Sequence, residues 1–332
     1  MTPVIAVDAM GGDRAPAVVV DGVVQAAGRL DIEIALVGRR AELETELARH
    51  GEARLDRIRL VDAGEVVAMH EAPLAALRRK PRASIRVAAE LVRTGAASAL
   101  FSAGHSGATV LAAHGALGMI AGIDRPALAV TYPTHQGAAL LLDAGASLEC
   151  RPDHLVQFAR MGTTYARVAM EIDRPRVGLL SIGEEAGKGT GLVRDAHARL
   201  AGTSLNFIGN LEARDLFTGR ADVVVCDGFT GNIALKVGEG LVDAVGRMLA
   251  DELGAAVTSQ IGARLTRHAF ERFRQRVDYA EYGAAPLLGL AGLALVGHGR
   301  SSARAIENGI AMAAQLAADR MVERVSADFC AA

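Results

Sequence analysis

The sequence predicts an α/β protein: a three-layer α/β/α sandwich around a mixed, mostly parallel sheet, with a protruding helical hairpin. Three observations lead there. Short, nearly unbroken apolar runs alternate with stretches of helical apolar spacing. Continuous apolarity marks strands buried on both faces, as in parallel sheets covered by helices. The runs at 128–130 and 138–142 are joined by too few residues for a crossover helix, so this pair is expected as an antiparallel hairpin. Finally, strand patterns vanish over 233–277, where only helical spacing remains.

Taken in order, strands are expected at 4–7, 32–37, 58–61, 99–101, 128–130, 138–142, 177–182, 205–208 and 223–225. Helices are expected over 18–30, 41–50, 72–80, 84–94, 106–120, 152–170 and 192–200. Ser84 and Ser106 stand where N-caps belong, Gly95 and Gly122 where helices stop, and Pro152 suits a first helical position. No Pro-, Gly- or Ser-rich linker divides the chain, so residues 1–332 are expected as one domain with a helical excursion over about 233–277.

Composition narrows the function. A net charge of −2 gives no reason to expect nucleic acid, and with 4% aromatic residues and no tryptophan, base-stacking platforms are not expected. The three cysteines, Cys150, Cys226 and Cys330, are far apart and form no CxxC pair, which fits a reducing compartment. The N-terminus shows no secretion signal, and no run reaches the roughly 18–20 apolar residues of a spanning helix. A soluble, cytoplasmic protein is expected.

Ligands of open α/β sheets bind at the carboxyl ends of strands, and here those ends are polar and glycine-rich. Asp8, Gly11, Gly12 and Asp13 follow the first strand, and Ser102, Gly104, His105, Ser106 and Gly107 the fourth. Asp143 and Gly145 follow the sixth. Glu184, Glu185 and Lys188, among four glycines, follow the seventh, and Gly209 and Asn210 the eighth. The ninth runs into Asp227, Gly228, Thr230, Gly231 and Asn232, with Lys236 one helical turn further. Strand, glycine turn and helix N-terminus present backbone N–H groups to an anion. One such turn is routine; six on one sheet edge suggest a ligand. Neither a P-loop nor a dinucleotide fingerprint is present, and no cofactor is expected. The loops suit a small anion together with an acyl or thioester group.

These residues carry a resemblance. Asp8-Ala-Met-Gly-Gly-Asp13, Ser102-Ala-Gly-His-Ser-Gly107, Ile182-Gly-Glu-Glu-Ala-Gly-Lys188, Gly209-Asn210, Cys226-Asp-Gly-Phe-Thr-Gly-Asn232, Glu281-Tyr-Gly-Ala-Ala-Pro-Leu-Leu288 and His298-Gly-Arg-Ser301 occur in order over essentially the whole chain. They resemble the signature blocks of the bacterial phosphate acyltransferase family, PlsX. The resemblance implies a fold like that of phosphotransacetylases and isopropylmalate dehydrogenase. It also implies transfer of a fatty acyl group from acyl carrier protein (ACP) to inorganic phosphate, giving acyl phosphate for phospholipid synthesis. A homodimer and peripheral contact of the hairpin with an anionic membrane surface follow from it too. His105 and Ser106 replace the family's usual Asn-Thr, Ser147 a usual Asn, and Ala213 a usual Gly.

Attack of phosphate on a thioester requires a positioned phosphate, a stabilised oxyanion and an accommodated thiolate. Lys188 is the expected charge partner of phosphate. Asn232, with the N–H groups near Thr230 and Gly231, would complete the anion site. His298, in the same block as Ser301, is a candidate acid or base because its ordinary pKa lies near neutrality. The competing readings are a solvated loop lysine, an early-helix asparagine and a structural histidine. Asp8, Asp13 and Asp227 are expected to orient donors. Cys226 follows three valines and reads as buried and inert, so direct attack by phosphate is expected over an acyl-enzyme. No spacing demands a metal.

In the excursion, Leu249, Leu253, Val257, Ile261 and Leu265 recur every four residues. Arg264, Arg267, Arg272, Arg274 and Arg276 accompany Phe270 and Phe273. Such a segment could lie on anionic lipid, receive an acidic carrier protein, or pack across a dimer interface. Two other readings of the whole chain are a short-chain acyl-CoA phosphotransacylase and a non-catalytic ACP-binding scaffold at the membrane.

Overall fold

A computed structural model describes residues 2–51, 55–254, 266–268, 273 and 283–330. In chain order its strands are β1 (Val4–Asp8), β2 (Glu33–Gly38), β3 (Ile58–Asp62), β4 (Ala99–Ser102), β5 (Ala127–Leu128), β6 (Val130–Thr134), β7 (Gly137–Leu142), β8 (Val177–Leu180), β9 (Phe207–Leu211), β10 (Val223–Val225), β11 (Ala285–Leu288) and β12 (Leu293–Val296). The helices that matter below are α1 (Ala17–Arg29), α2 (Arg40–Leu47), α3 (Pro73–Arg79), α4 (Ser84–Arg93), α5 (Ser106–Leu117), α6 (Pro152–Ala169), α7 (Gly191–Ala201), α8 (Gly228–Gly254), α9 (Ala303–Ala318) and α10 (Met321–Cys330).

The strands form two sheets, ordered β3-β2-β1-β4-β12-β11-β5 and β6-β7-β10-β8-β9. Within the first, β3 to β12 run parallel, and β11 is antiparallel to both its neighbours. In the second, β7 to β9 are parallel and β6 closes the edge as an antiparallel hairpin with β7. Period-2 alternation sends side chains to two faces. Ile5, Val7, Phe101 and Leu295 share a core with α1, α2 and α9, while Ala6, Leu100 and Ala294 meet α4 and α5 on the other side. In the second sheet Leu142, Val223 and Val225 share the core of α6 and α10, and Leu141, Val224 and Cys226 that of the start of α8. The result is a three-layer α/β fold.

Two sheets, rather than one, arise because the run at 128–130 breaks at Ala129. Leu128 pairs with Leu287 in the first sheet and Val130 with Leu141 in the second. The seam is held by the Asp143 carboxylate, at the end of β7. It accepts backbone N–H groups from Leu128 (2.7 Å), Gly145 (3.0 Å), Ala146 (2.9 Å) and Ser147 (2.6 Å). The expected hairpin is present, but β6 extends to Thr134 and the turn is only His135-Gln136.

Other differences are local. Ser84 and Ser106 are first helical residues, not caps; Ala83 and His105 occupy the cap positions without a side-chain cap. Ser84 instead hydrogen-bonds Asp8. Gly118, with φ +70°, ends α5 ahead of Gly122. Ile182 does not continue β8 and is 82% exposed. β11 and β12, which the apolar pattern leaves unassigned, are four-residue strands separated by Gly289 and Gly292. Short runs broken by glycine carry little periodicity.

Burial raises the Asp143 pKa to about 6, against the lowering effect of its four N–H donors. A folded pKa above the ordinary value of 3.8 means the folded state binds the proton more tightly. The proton-linked part of the Asp143 contribution is thus full below pH 3.8 and lost as pH rises through about 6, while the four N–H bonds to the carboxylate remain. Urea unfolding of wild type and Asp143→Asn across about pH 4 to pH 8 is expected to show a wild-type advantage that shrinks over this window. A difference independent of pH contradicts it.

Candidate active site

The loops at the carboxyl ends of β1, β4 and β12 face α8 across a cavity of about 480 Å³. Asp13, Ser106, Asn232, Lys236, His298 and Arg300 line its polar part. Leu128, Val130, Leu141, Leu216, Phe217 and Leu235 make an apolar wall. A cavity lined by both polar and apolar side chains suits an amphipathic ligand.

The first-sheet loops are locked backbone against backbone. A Cβ on Gly11 would stand 2.7 Å from the Cα of Gly104, so the β1 and β4 loops touch only because both residues are glycine. Beneath them the buried Asp8 carboxylate accepts the Ser102 hydroxyl at 2.8 Å and the Met10 N–H at 3.2 Å, and Ser102 Oγ accepts the Gly104 N–H at 3.1 Å. Burial holds the Asp8 carboxyl above its ordinary pKa, opposed by bonds from Ser84, Ser102 and Met10. Gly12 takes φ +115°, and the next N–H, of Asp13, donates to the Gly299 carbonyl at 2.9 Å. That bond ties the β1 loop to the loop carrying His298. Buried Ser301 closes the latter by donating its N–H to the His298 carbonyl at 2.9 Å, while its own carbonyl accepts from Arg14 at 3.1 Å.

Half-buried His298 is oriented from its own loop. Its Nδ1 accepts the Arg300 N–H at 3.1 Å, so the neutral ring carries its proton on Nε2. Nε2 lies 3.4 Å from Lys236 Nζ, which donates to Glu239 Oε2 at 2.9 Å. Burial lowers the His298 pKa, Lys236 and Arg300 lower it further, and Glu239 and Asp13 oppose them. The imidazole is therefore neutral at pH 7. An ammonium and an imidazole N–H are both donors, and together they suit an anionic oxygen that accepts from both.

The N-terminus of α8 departs from expectation. Asp227 caps it, with Oδ1 accepting the Thr230 N–H at 2.9 Å and Oδ2 the Thr230 hydroxyl at 2.7 Å. Gly228 donates its N–H to the Ser147 carbonyl and Gly231 to the Asp227 carbonyl, each at 2.9 Å. The donors expected to meet an anion at Gly228, Thr230 and Gly231 are thus taken internally. The glycines serve close approach. A Cβ on Gly228 would stand 2.7 Å from Asp143 Oδ2, and one on Gly231 would overlap the Asp143 carbonyl oxygen. Asn232, packed against Gly145, is the part of this turn that reaches the cavity. Cys226 lies beneath, fully buried, with burial pushing its thiol pKa well up.

Lys188 is exposed and does not line the cavity. Its loop is tied down elsewhere: Lys188 N–H donates to the Glu185 carbonyl at 3.0 Å, Asn210 Nδ2 donates to the same carbonyl at 2.9 Å, and Glu184 pairs with Arg220 at 2.7 Å. His105 and Gly107 stand at the start of α5 beside Pro73. Sequence reading misses Glu239 and Arg300. Glu239 follows Lys236 by three residues, a spacing that places both on one helix face, and Arg300 sits inside the His298–Ser301 block. Among the described residues, no group of three His, Cys, Asp or Glu could hold a metal.

A family described as "Fatty acid synthesis protein" matches residues 4–324. Phosphate acyltransferase from Geobacter sulfurreducens is 48% identical over 331 residues, covering 98% of this chain and 95% of that protein. The chain belongs to the phosphate acyltransferase family. Phosphate acyltransferase from Pelobacter propionicus is 51% identical over 321 residues, covering 97% of this chain and 92% of its own length. Among solved structures, a phosphotransacetylase from Streptococcus pyogenes superposes with a TM-score of 0.62 at 20% identity, covering 96% of this chain and 94% of that one. At that identity the likeness concerns the fold.

Gly231→Ala forces the start of α8 off the β7 loop and is expected to destabilise the protein by about 1–3 kcal/mol, the usual cost of overpacking. Gly240→Ala, later in the same helix and with nothing near its Cβ position, is expected to stabilise by a few tenths to about 1 kcal/mol through helix propensity. Guanidinium unfolding of both variants checks the contrast, and the reverse order contradicts it.

Proposed function

We propose that this protein transfers a fatty acyl group from acyl-ACP to inorganic phosphate, releasing acyl phosphate and the free ACP thiol. The observation that carries the reading is one cavity that combines the donors of Lys236, His298 and Asn232 with the apolar side chains of Leu128, Val130, Leu141, Leu216 and Phe217. Phosphate bound by Lys236 Nζ and His298 Nε2–H attacks the thioester carbonyl carbon. A C–O bond forms, the C–S bond breaks, and the thiolate takes up a proton. Phosphate is already anionic at neutral pH and needs no base, so His298 acts as a donor to phosphate or the developing oxyanion. Two oriented reactants and one or two such donors supply much of the barrier reduction. The apolar wall favours a long chain over acetyl.

The homodimer and membrane contact belong to the same reading. α8 exposes Ile233, Val237, Leu241, Val245 and Met248, with Val237 at 65% and Met248 at 66%. Spacings of four and three place them on one face, a stripe that water does not favour. A second copy is the proposed cover. The apolar positions Val257 and Ile261 fall outside the described residues, so the membrane contact rests on the sequence pattern alone. Among the described residues, no helix is long and apolar enough to cross a membrane. The site of action proposed is the cytoplasmic face of the membrane.

Incubation with phosphate and palmitoyl-ACP, with palmitoyl-CoA and acetyl-CoA in parallel, is expected to yield acyl phosphate and free thiol most rapidly from palmitoyl-ACP. No acyl phosphate from any donor overturns the reading. Lys236→Ala is expected to lower kcat/KM by roughly a hundredfold, the scale for losing one oriented donor to developing charge, and more than Lys188→Ala does. The opposite order would return phosphate to the 183–191 loop.

A further inference from the structure

We propose that Glu239 is a positioning residue that holds the Lys236 ammonium beside Nε2 of His298 and so builds the phosphate site. The inference rests on the acyltransferase reading and adds the element that makes the site. Lysine carries a compact charge on a long flexible stem, and the Lys236 side chain is 49% exposed. Left to itself, its ammonium samples many positions in water. Glu239, whose side chain is only 18% exposed, accepts from Nζ at 2.9 Å and faces the same cavity one turn along α8. His298 is fixed independently by the Arg300 N–H on its far side. One group is thus set by α8 and the other by the β12 loop, and they meet at 3.4 Å with donors on both.

Charges of both signs surround His298. Lys236 and Arg300 bring positive charge to His298 from α8 and the loop, and Glu239 and Asp13 bring negative charge from α8 and the β1 loop. Asp243 lines the cavity one turn beyond Glu239. Glu239 therefore has two effects: it fixes the ammonium and it offsets part of the positive charge that disfavours imidazolium. An incoming phosphate oxygen accepts from Nζ and Nε2–H together, with the Glu239 contact to another ammonium proton retained, since the ammonium has three.

Glu239→Gln keeps the size and an acceptor oxygen but removes the charge. Its KM for phosphate is expected to rise about five- to tenfold, as a charge-assisted bond is replaced by a neutral one, while KM for palmitoyl-ACP stays unchanged. The inflection of kcat/KM assigned to His298 is expected to move to lower pH, because the carboxylate favouring the charged ring is gone. A residue that merely supported α8 would shift the melting temperature and leave both readouts in place. Unchanged phosphate KM and an unchanged inflection overturn the proposal while leaving the acyltransferase reading intact. Phosphate binding followed by ³¹P NMR, in wild type and Glu239→Gln, tests the same clamp without turnover. Weaker binding in the variant supports the clamp, and equal binding, or none in wild type, overturns it.

Discussion

Where the chain crosses from the first sheet to the second, one carboxylate accepts four backbone N–H groups. Asp143 binds Leu128 on the incoming strand and Gly145, Ala146 and Ser147 on the outgoing loop. The Leu128 and Ser147 groups would otherwise be buried donors without acceptors, each costing about 1–3 kcal/mol. The same loop is the floor on which α8 begins, because Gly228 and Gly231 leave no side chain between helix and loop. The position of α8, and with it Asn232, Lys236 and Glu239, therefore derives from how this seam is closed.

The opposite wall is built by the same kind of contact. Gly11 and Gly104 bring the β1 and β4 loops together, and the Asp13 N–H fastens the loop of His298 to them. Each wall is tied together by its own backbone contacts, and Asn232, Lys236 and His298 line the gap between them. Such preorganisation is what makes a donor effective against charge that develops during reaction. Carboxylates do the orienting throughout: Asp8 beneath the glycine crossing, Asp143 at the seam, Asp227 at the helix cap and Glu239 at the cavity. Asp8 and Asp143 have raised pKa values through burial, and neither lines the cavity. A perturbed carboxyl here marks scaffolding as much as chemistry.

The layered fold is legible in the sequence because long apolar runs, the hairpin and the strand-end glycines are local signals. The division into two sheets is not. It depends on the chain changing sheets just after Ala129, whose N–H still bonds the Pro286 carbonyl, so that Leu128 and Val130 find different partners, and that choice is made by β7, β11 and Asp143 at a distance. β11 and β12 are too short and glycine-broken to show period, although β12 delivers His298. At the site, glycine and block spacing single out loops that do meet, and Asn232, Lys236 and His298 line one cavity. The anion-presenting helix N-terminus is the part that local pattern misjudges: a strand–glycine–helix turn reads the same whether its N–H groups face solvent or are taken by Asp227 and Ser147. Lys188 shows the converse, since a lysine among glycines has the right local chemistry and lies away from the cavity.

The measurement closest to the central claim is a crystal structure with inorganic phosphate and a non-reactive palmitoyl thioether of pantetheine. It is expected to show a phosphate oxygen within hydrogen-bond distance of both Lys236 Nζ and His298 Nε2, with the alkyl chain along Leu141 and Phe217. Phosphate seated instead on the loop around Lys188, with the chain outside the cavity, would contradict it.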